Sequence, residues 1–275
     1  RIIEKYVRKA RLPIKITPHG IRHCIHGETR ISMPRKIVSA RDLFEKQNTS
    51  VKSYVWNRGY QTNKPVIQKT VHKTDQLVRV YAGGYELLCT PEHRLFTIGS
   101  DGIAEVRAAD VKYGMYLAGV KKISQQSKPF FPNEFWRLAG YICGDGTVSM
   151  ARRGILISDK DLANLEFYAQ IIKNLYGKTV QIKSSEYSKS FLLTCYLMPL
   201  VHILNKLGLG QKSTIRRVPQ KLFASSDKDV AAFLAGFYDA EGNDKGKPRI
   251  FSANKELIKD MQMLLLRLGI DAHLY

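Results

Sequence analysis

Leu138-Ala139-Gly140-Tyr141-Ile142-Cys143-Gly144-Asp145-Gly146 returns, one repeat later, as Leu234-Ala235-Gly236-Phe237-Tyr238-Asp239-Ala240-Glu241-Gly242. Each copy closes an apolar run of helical character with a small residue, an acid and a glycine. The pattern predicts two helices, each carrying one carboxylate at its C-terminal end, Asp145 on the first and Glu241 on the second. Small residues at i, i+4 spacing (Gly140 and Gly144, Gly236 and Ala240) would let the two helix backbones approach closely. Packed together, the copies put their acids side by side. Two carboxylates at neighbouring helix C-termini, where backbone dipoles also present negative charge, form an oxygen-rich site for a hard divalent cation such as Mg²⁺. A metal held there can activate water and stabilise a phosphate leaving group. A single copy is explained by a glycine C′ cap at Gly146 or Gly242; duplication with the acid retained favours a site.

These residues resemble the LAGLIDADG homing endonucleases, in their single-chain form with two motifs. The resemblance implies a pair of αββαββα halves whose motif helices form the central interface, with two antiparallel sheets making a saddle over double-stranded DNA. The family's catalytic acid matches Asp145 in the first copy and Glu241 in the second, and Cys143 departs from the motif. The implied reaction is Mg²⁺-dependent hydrolysis of both strands of a long DNA site, with Asp145 and Glu241 as metal ligands and water as nucleophile. It also implies a lysine near each acid that helps position the water, for which Lys189 is the candidate in the first unit. A monomer with internal pseudo-two-fold symmetry is expected.

The totals agree with a polyanionic partner. The 275 residues are 44% hydrophobic, enough for packed cores, and carry a formal charge of +20 with a pI near 9.8, so association with phosphate would release counterions. No apolar run approaches the length of a spanning helix or resembles a signal peptide, which excludes a helical membrane protein. The cysteines Cys24, Cys89, Cys143 and Cys195 show no metal-ribbon or disulfide spacing, and a reducing cytoplasm is the expected compartment.

Beyond the first motif the pattern predicts a hairpin (147–150, 155–158), a helix opened by a capping box at Ser158–Asp161 and closed by Gly177, strands at 179–183 and 191–196, and a helix over 198–207. Asn133 is expected to cap the first motif helix. A second unit starts at Asp227, with Ser252 matching Ser158, and ends its second helix at Gly269. By repeat alignment it stops about 27 residues short of the first, so this unit and its sheet are expected to be incomplete. Arg152, Arg153, Lys183, Lys245, Lys247 and Arg249 are the candidate hairpin residues for DNA contact.

Upstream lies a second chemistry. Cys24 opens Cys-Ile-His-Gly-Glu-Thr, and a strand ending at Cys89 leads into Thr90-Pro91-Glu92-His93. Together these resemble the first two motifs of an intein, and Ala108–Gly114 resembles the stretch closing that half of a splicing domain. The resemblance implies that Cys24 attacks the carbonyl of His23 while Thr90 and His93 polarise the His23–Cys24 amide and protonate its departing nitrogen. Thr17-Pro18-His19-Gly20-Ile21-Arg22-His23 resembles the H-x-L-R-H box of tyrosine recombinases, making residues 1–23 a host segment. The closing splicing motifs of inteins have no counterpart here, so complete splicing is not expected. The expected fold is α+β: an all-β, Hint-like splicing half over 24–124, with strands at 52–56, 65–70, 76–81 and 102–106 and a linker over 121–128, then the two-repeat nuclease over 130–275. The rival readings are a non-cleaving DNA-binding module and a self-cleaving intein remnant.

Overall fold

The computed structural model describes residues 24–55, 60–99, 102–123, 127–128, 130–185, 189–243 and 246–274. The Thr17–His23 box and Lys245 lie outside the described residues. The chain divides into two compact units, one of residues up to 33 and 38–120, the other of residues 34–37 and 121–274.

The first unit is a set of antiparallel ribbons. Strands β1 (Arg30–Ser32) and β2 (Ile37–Ser39) pair, followed by helix α1 (Ala40–Glu45) and the hairpins β3 (Ser50–Val55) with β4 (Tyr60–Pro65), β5 (Val78–Ala82) with β6 (Tyr85–Cys89), and β7 (Arg94–Gly99) with β8 (Gly102–Arg107). Gly83 and Gly84 turn the β5–β6 hairpin with φ of 57° and 79°, the positive values that a tight two-residue hairpin turn demands. Val80, Cys89 and Ala108 make its small core, against Ile25, Leu87, Leu95 and Leu117.

Two expectations are corrected here. The half is not all-β, because Ser39 accepts the Asp42 N–H and starts α1, a cap that outweighs the β-rich surroundings. The strand expected over 65–70 lies earlier, at 60–65, and Pro65 is its last residue; proline lacks the N–H that would continue a ladder.

The second unit contains one whole αββαββα repeat: α2 (Asn133–Asp145), β9 (Gly146–Ser149), β10 (Gly154–Asp159), α3 (Leu162–Tyr176), β11 (Gln181–Ser184), β12 (Phe191–Cys195) and α4 (Met198–Lys206). The four strands form an antiparallel sheet in the order β11-β12-β10-β9. Alternation sorts its faces. Val148, Ile155, Ile157, Leu193 and Cys195 are buried in a core shared with α2, α3 and α4, while Thr147, Ser158, Gln181 and Lys183 are exposed. After a 3-10 turn (Gln220–Ala224) come α5 (Asp227–Glu241), β13 (Gly242–Asn243), β14 (Arg249–Ile250) and α6 (Lys255–Arg267), repeating the αββα order on a shorter hairpin.

Helix ends follow local chemistry. Ser226 and Asp229 form a reciprocal capping box at the start of α5, and Gly177 ends α3 in the left-handed conformation, φ 65°. Asn133 does not cap α2. Pro132 occupies that position with extended backbone, leaving Asn133 as the first helical residue. Of the Ser158–Asp161 segment only Asp161 caps α3, accepting the Ala163 N–H at 2.9 Å.

Candidate active site

Helices α2 and α5 pack backbone to backbone, and the glycines are the reason. A Cβ at Gly140 would lie 2.0 Å from the Phe233 carbonyl oxygen, and one at Gly236 would lie 1.9 Å from the Arg137 carbonyl oxygen. These are the same contact related by the repeat, so the two helices lie parallel about a local two-fold. One turn on, a Cβ at Gly144 would lie 2.7 Å from the Ala240 Cβ and 3.0 Å from the Glu241 Cγ. The small-residue stripe read from the sequence is this interface, and it carries Asp145 and Glu241 to the same end. Trp136, fully buried, stacks edge-on against Phe233 near the other end.

The glycines that follow the acids act differently from the expected left-handed caps. Gly146 and Gly242 are extended, with φ of −88° and −85°. Each is needed for space: a Cβ at 146 would meet the Ile142 Cα at 2.6 Å, and one at 242 the Tyr238 carbonyl oxygen at 2.3 Å. The chain therefore turns straight from each acid into a strand.

Asp145 keeps its solvent exposure and Glu241 is partly buried. Desolvation by surrounding protein, then the field of Asp159, moves the Asp145 carboxyl above the ordinary carboxylate range. Desolvation, then the field of Asp145, does the same to Glu241. Among the described residues no basic side chain forms an ion pair with either acid, and no cluster of three or more potential metal ligands forms around them. Two neighbouring carboxylates whose pKa values are raised, with no basic partner among the described residues, suit a divalent cation.

A pH effect follows. With both pKa values raised, the folded chain holds protons that the unfolded chain releases, so the associated stability is present below the unfolded value of about 4 and is lost as pH rises through the raised values. The double variant Asp145→Asn/Glu241→Gln is expected to be more stable than the parent at pH 7–8 without metal, with the advantage vanishing toward pH 4. Urea titrations of both proteins at the two pH values check this; a pH-independent difference contradicts it.

Two neighbours of the acids were not legible in the sequence. Asp159, at the end of β10, accepts hydrogen bonds from the Tyr141 hydroxyl, from Asn164 Nδ2 at 2.7 Å and from the Asp161 N–H at 2.9 Å. Its carboxylate is thereby held beside the end of α2, one helical turn above which Tyr141 sits. The other is Arg216, buried in the segment joining the repeats. Position 143, where the first motif departs, is a buried thiol pushed up to about 12 by desolvation, whereas its counterpart Asp239 accepts hydrogen bonds from Arg137 Nε at 2.9 Å and from the Tyr168 hydroxyl. This ion pair ties α5 to the first repeat.

Arg152 and Arg153 stand exposed in the β9–β10 turn, where Arg153 has a positive φ of 53°. Lys183 is exposed on β11, Arg249 on β14 opposite Asn243, and Lys247 just before it. Lys189 is exposed in the connection between β11 and β12 and makes no ion pair with either acid among the described residues.

In the first unit the structure brings Cys24 and Thr90 together. The Cys24 backbone N–H donates to Thr90 Oγ1 at 3.2 Å, and the Thr90 N–H donates to the Cys24 carbonyl at 3.0 Å. Ile25 forms an antiparallel bridge with Cys89. The His93 N–H donates to the Thr90 carbonyl at 3.0 Å, with the His93 Nδ1 buried.

Residues 228–275 match the family model of a LAGLIDADG-like domain. That match spans α5 from its second residue, with Glu241, and β13, β14 and α6. Over a longer span the chain is similar to ATP-dependent DNA helicase Hel308 of Methanocaldococcus jannaschii, 27% identical over 76% of this chain and 18% of the helicase. It is also similar to the replication factor C small subunit of that organism, 26% identical over 99% of this chain and 15% of the subunit. Ribonucleoside-diphosphate reductase NrdEB subunit alpha of Bacillus subtilis is 24% identical over 92% of this chain and 26% of the reductase. The chain therefore spans about a quarter or less of these relatives. Among solved structures, I-DmoI in complex with DNA and Mn covers 50% of this chain and 78% of its own, at 18% identity and a TM-score of 0.39.

Proposed function

We propose that this chain is an intein carrying a LAGLIDADG homing endonuclease, which cleaves both strands of a long double-stranded DNA site with a divalent cation. The observation that carries the nuclease reading is the reciprocal glycine contact of α2 and α5, which seats one carboxylate from each repeat at the same end of a shared axis. Asp145 and Glu241 would hold the cation, Mg²⁺ in the first instance. When bound, it supplies Lewis-acid activation of water and charge stabilisation at the departing phosphate oxygen.

The chain's own residues do the rest. Asp145 and Glu241 fix the two reacting ends along the pseudo-two-fold, so each repeat addresses one strand and a monomer suffices. Lys189 orients the attacking water in the first repeat. The open face of the first sheet, with Thr147, Ser158, Gln181 and Lys183, lies along the DNA, and Arg152, Arg153, Lys247 and Arg249 contact it from the hairpins, with Lys245 a further DNA-contact candidate from the sequence. Phosphate contacts by such residues fix register, and the exposed sheet side chains read base edges. The net charge of +20 supports this partner.

The splicing reading rests on Thr90 Oγ1 beside the Cys24 amide nitrogen. In the proposed step Cys24 Sγ bonds to the carbonyl carbon of His23, the His23–Cys24 C–N bond breaks, and the freed amine takes up a proton with help from Thr90 and His93. The product is a thioester. The similarity of three quarters or more of the chain to minor parts of a DNA helicase, a replication factor C small subunit and a ribonucleoside-diphosphate reductase supports a self-contained inserted element, since no one activity is named for all three. The Thr17–His23 box makes a tyrosine recombinase the proposed host. The free cysteines fit action in a reducing cytoplasm.

Incubation with excess thiol is expected to release residues 1–23, with Cys24→Ala abolishing release and Thr90→Ala slowing it by roughly 10²-fold, in the range for lost acid–base assistance. Mass spectrometry follows the release, and release undiminished in Cys24→Ala would refute the thioester. For the nuclease, supercoiled plasmids with randomised inserts are incubated with the full chain and Mg²⁺, and linear products are sequenced. Recovery of a common insert is the expected result. Tight binding without strand breaks would instead favour a DNA-binding module that does not cut.

A further inference from the structure

We infer that Arg216 is the positioning residue of the first active-site acid, a role that rests on the nuclease reading above. Arg216 is 4% exposed within a segment whose neighbours, Gln211–Ile215 and Arg217, are all exposed. One Nη donates to the Ile142 carbonyl at 2.9 Å and the Cys143 carbonyl at 3.0 Å. The other donates to the Gly146 carbonyl at 3.1 Å and the Gln211 carbonyl at 3.1 Å, and Nε reaches Gln211 at 3.3 Å. The guanidinium therefore grips the backbone on both sides of Asp145. Ile142 and Cys143 hold two of the last four carbonyls of α2, at the negative end of its dipole, and the Ile142 carbonyl also receives the Gly146 N–H. A planar fork of five donors holds several carbonyls in one fixed geometry, which the three rotatable donors of an ammonium do not impose. Among the described residues no carboxylate pairs with Arg216, so carbonyl dipoles alone compensate its charge.

The grip is anchored in the other repeat. Asn254, the N-cap of α6, donates through Nδ2 to the Arg216 carbonyl at 2.7 Å and the Ser213 carbonyl at 2.9 Å. Arg217 points to Asp260 on the same helix, with hydrogen bonds of 2.6 and 2.9 Å. Residues 211–218 thus form a strap whose outer links lie on α6 and whose inner link sets the backbone of Asp145. At the end of α5 the Glu241 carbonyl instead receives the Phe251 N–H, from just after its own hairpin. The two acids are held by different means, and Arg216 acts on one.

The test uses the full chain and a supercoiled plasmid recovered from the randomised-insert selection. Arg216→Gln, Arg216→Lys and Arg216→Ala are compared with the parent for single-turnover cleavage in Mg²⁺ and for plasmid-insert binding in Ca²⁺, with active protein counted by binding. Expected is a fall of about 100-fold in cleavage rate, the scale for displacement of a reacting group by about 1 Å, with DNA affinity within about twofold of the parent. Guanidinium ion added to Arg216→Ala is expected to restore at least tenfold, and to restore nothing in Asp145→Asn. Arg216→Gln, which keeps two donors and no charge, serves if the alanine variant does not fold. A parent that cuts alongside variants that cut equally well, or that lose binding and cleavage in proportion, overturns the inference alone. A parent that does not cut overturns the nuclease reading itself.

Discussion

Asp145→Asn is expected to leave the chain bound to its DNA and unable to cut it, with the cleavage rate down by at least roughly 10³-fold, several kcal/mol of barrier. The substitution keeps the side chain's shape and removes its charge. Two effects then separate. Without a charge, the end of α2 no longer repels Asp159, Glu241 or an approaching phosphate, so fold and affinity are preserved or improved. Without a carboxylate, one of the two ligands proposed for the cation is gone. Glu241→Gln is expected to behave alike. Nicking and linearisation of a selected plasmid, beside affinity in Ca²⁺, check both arms, and parental cutting by Asp145→Asn would remove the acid from the mechanism.

Gly236→Val is expected to destabilise the second unit by roughly 3 kcal/mol or more, beyond ordinary overpacking. Propensity argues the other way, because replacing glycine inside a helix usually helps by a few tenths to 1 kcal/mol. Geometry decides. The added Cβ would stand 1.9 Å from the Arg137 carbonyl oxygen and 2.9 Å from the Tyr141 nitrogen, both backbone atoms of a packed helix. No rotamer change relieves that contact, so α2 and α5 must separate, and with them Asp145 and Glu241. Even Gly236→Ala places the same Cβ. Gly177→Ala, at a left-handed helix end with open space around it, is the contrasting case: only its φ of 65° is strained, at about 1 kcal/mol. Denaturant unfolding of the three variants checks the order, and an unperturbed Gly236→Val contradicts the close helix approach.

The parts of this structure that were legible in the sequence are those written in periodic or duplicated patterns. The repeat of small residues through Gly140, Gly144, Gly236 and Ala240 announced the helix interface, and alternation in 147–158 announced the first hairpin. Cys24 and Thr90, far apart in sequence, were joined by resemblance and meet at 3.2 Å. What escaped depends on long-range packing. Arg216 sits in a stretch with no period, and only the folded path turns that one side chain inward. Asp159 was absorbed into a capping pattern that Asp161 fulfils instead, because the β10 end directs Asp159 toward Tyr141 and Asn164. Helix α1 escaped because six residues cannot establish a helical period, and the extended Gly146 and Gly242 escaped because a glycine's reason, left-handed φ or lack of room, is not written in its letter.

In the proposed mechanism the two motif helices meet so that Asp145 and Glu241 form one divalent-cation site. Manganese binding followed by electron paramagnetic resonance, on the full chain with its selected duplex, tests it most directly. The parent is expected to take up Mn²⁺ tightly, with binding weakened at least roughly tenfold in Asp145→Asn or Glu241→Gln and lost in the double variant. Equal Mn²⁺ binding by parent and double variant would contradict it.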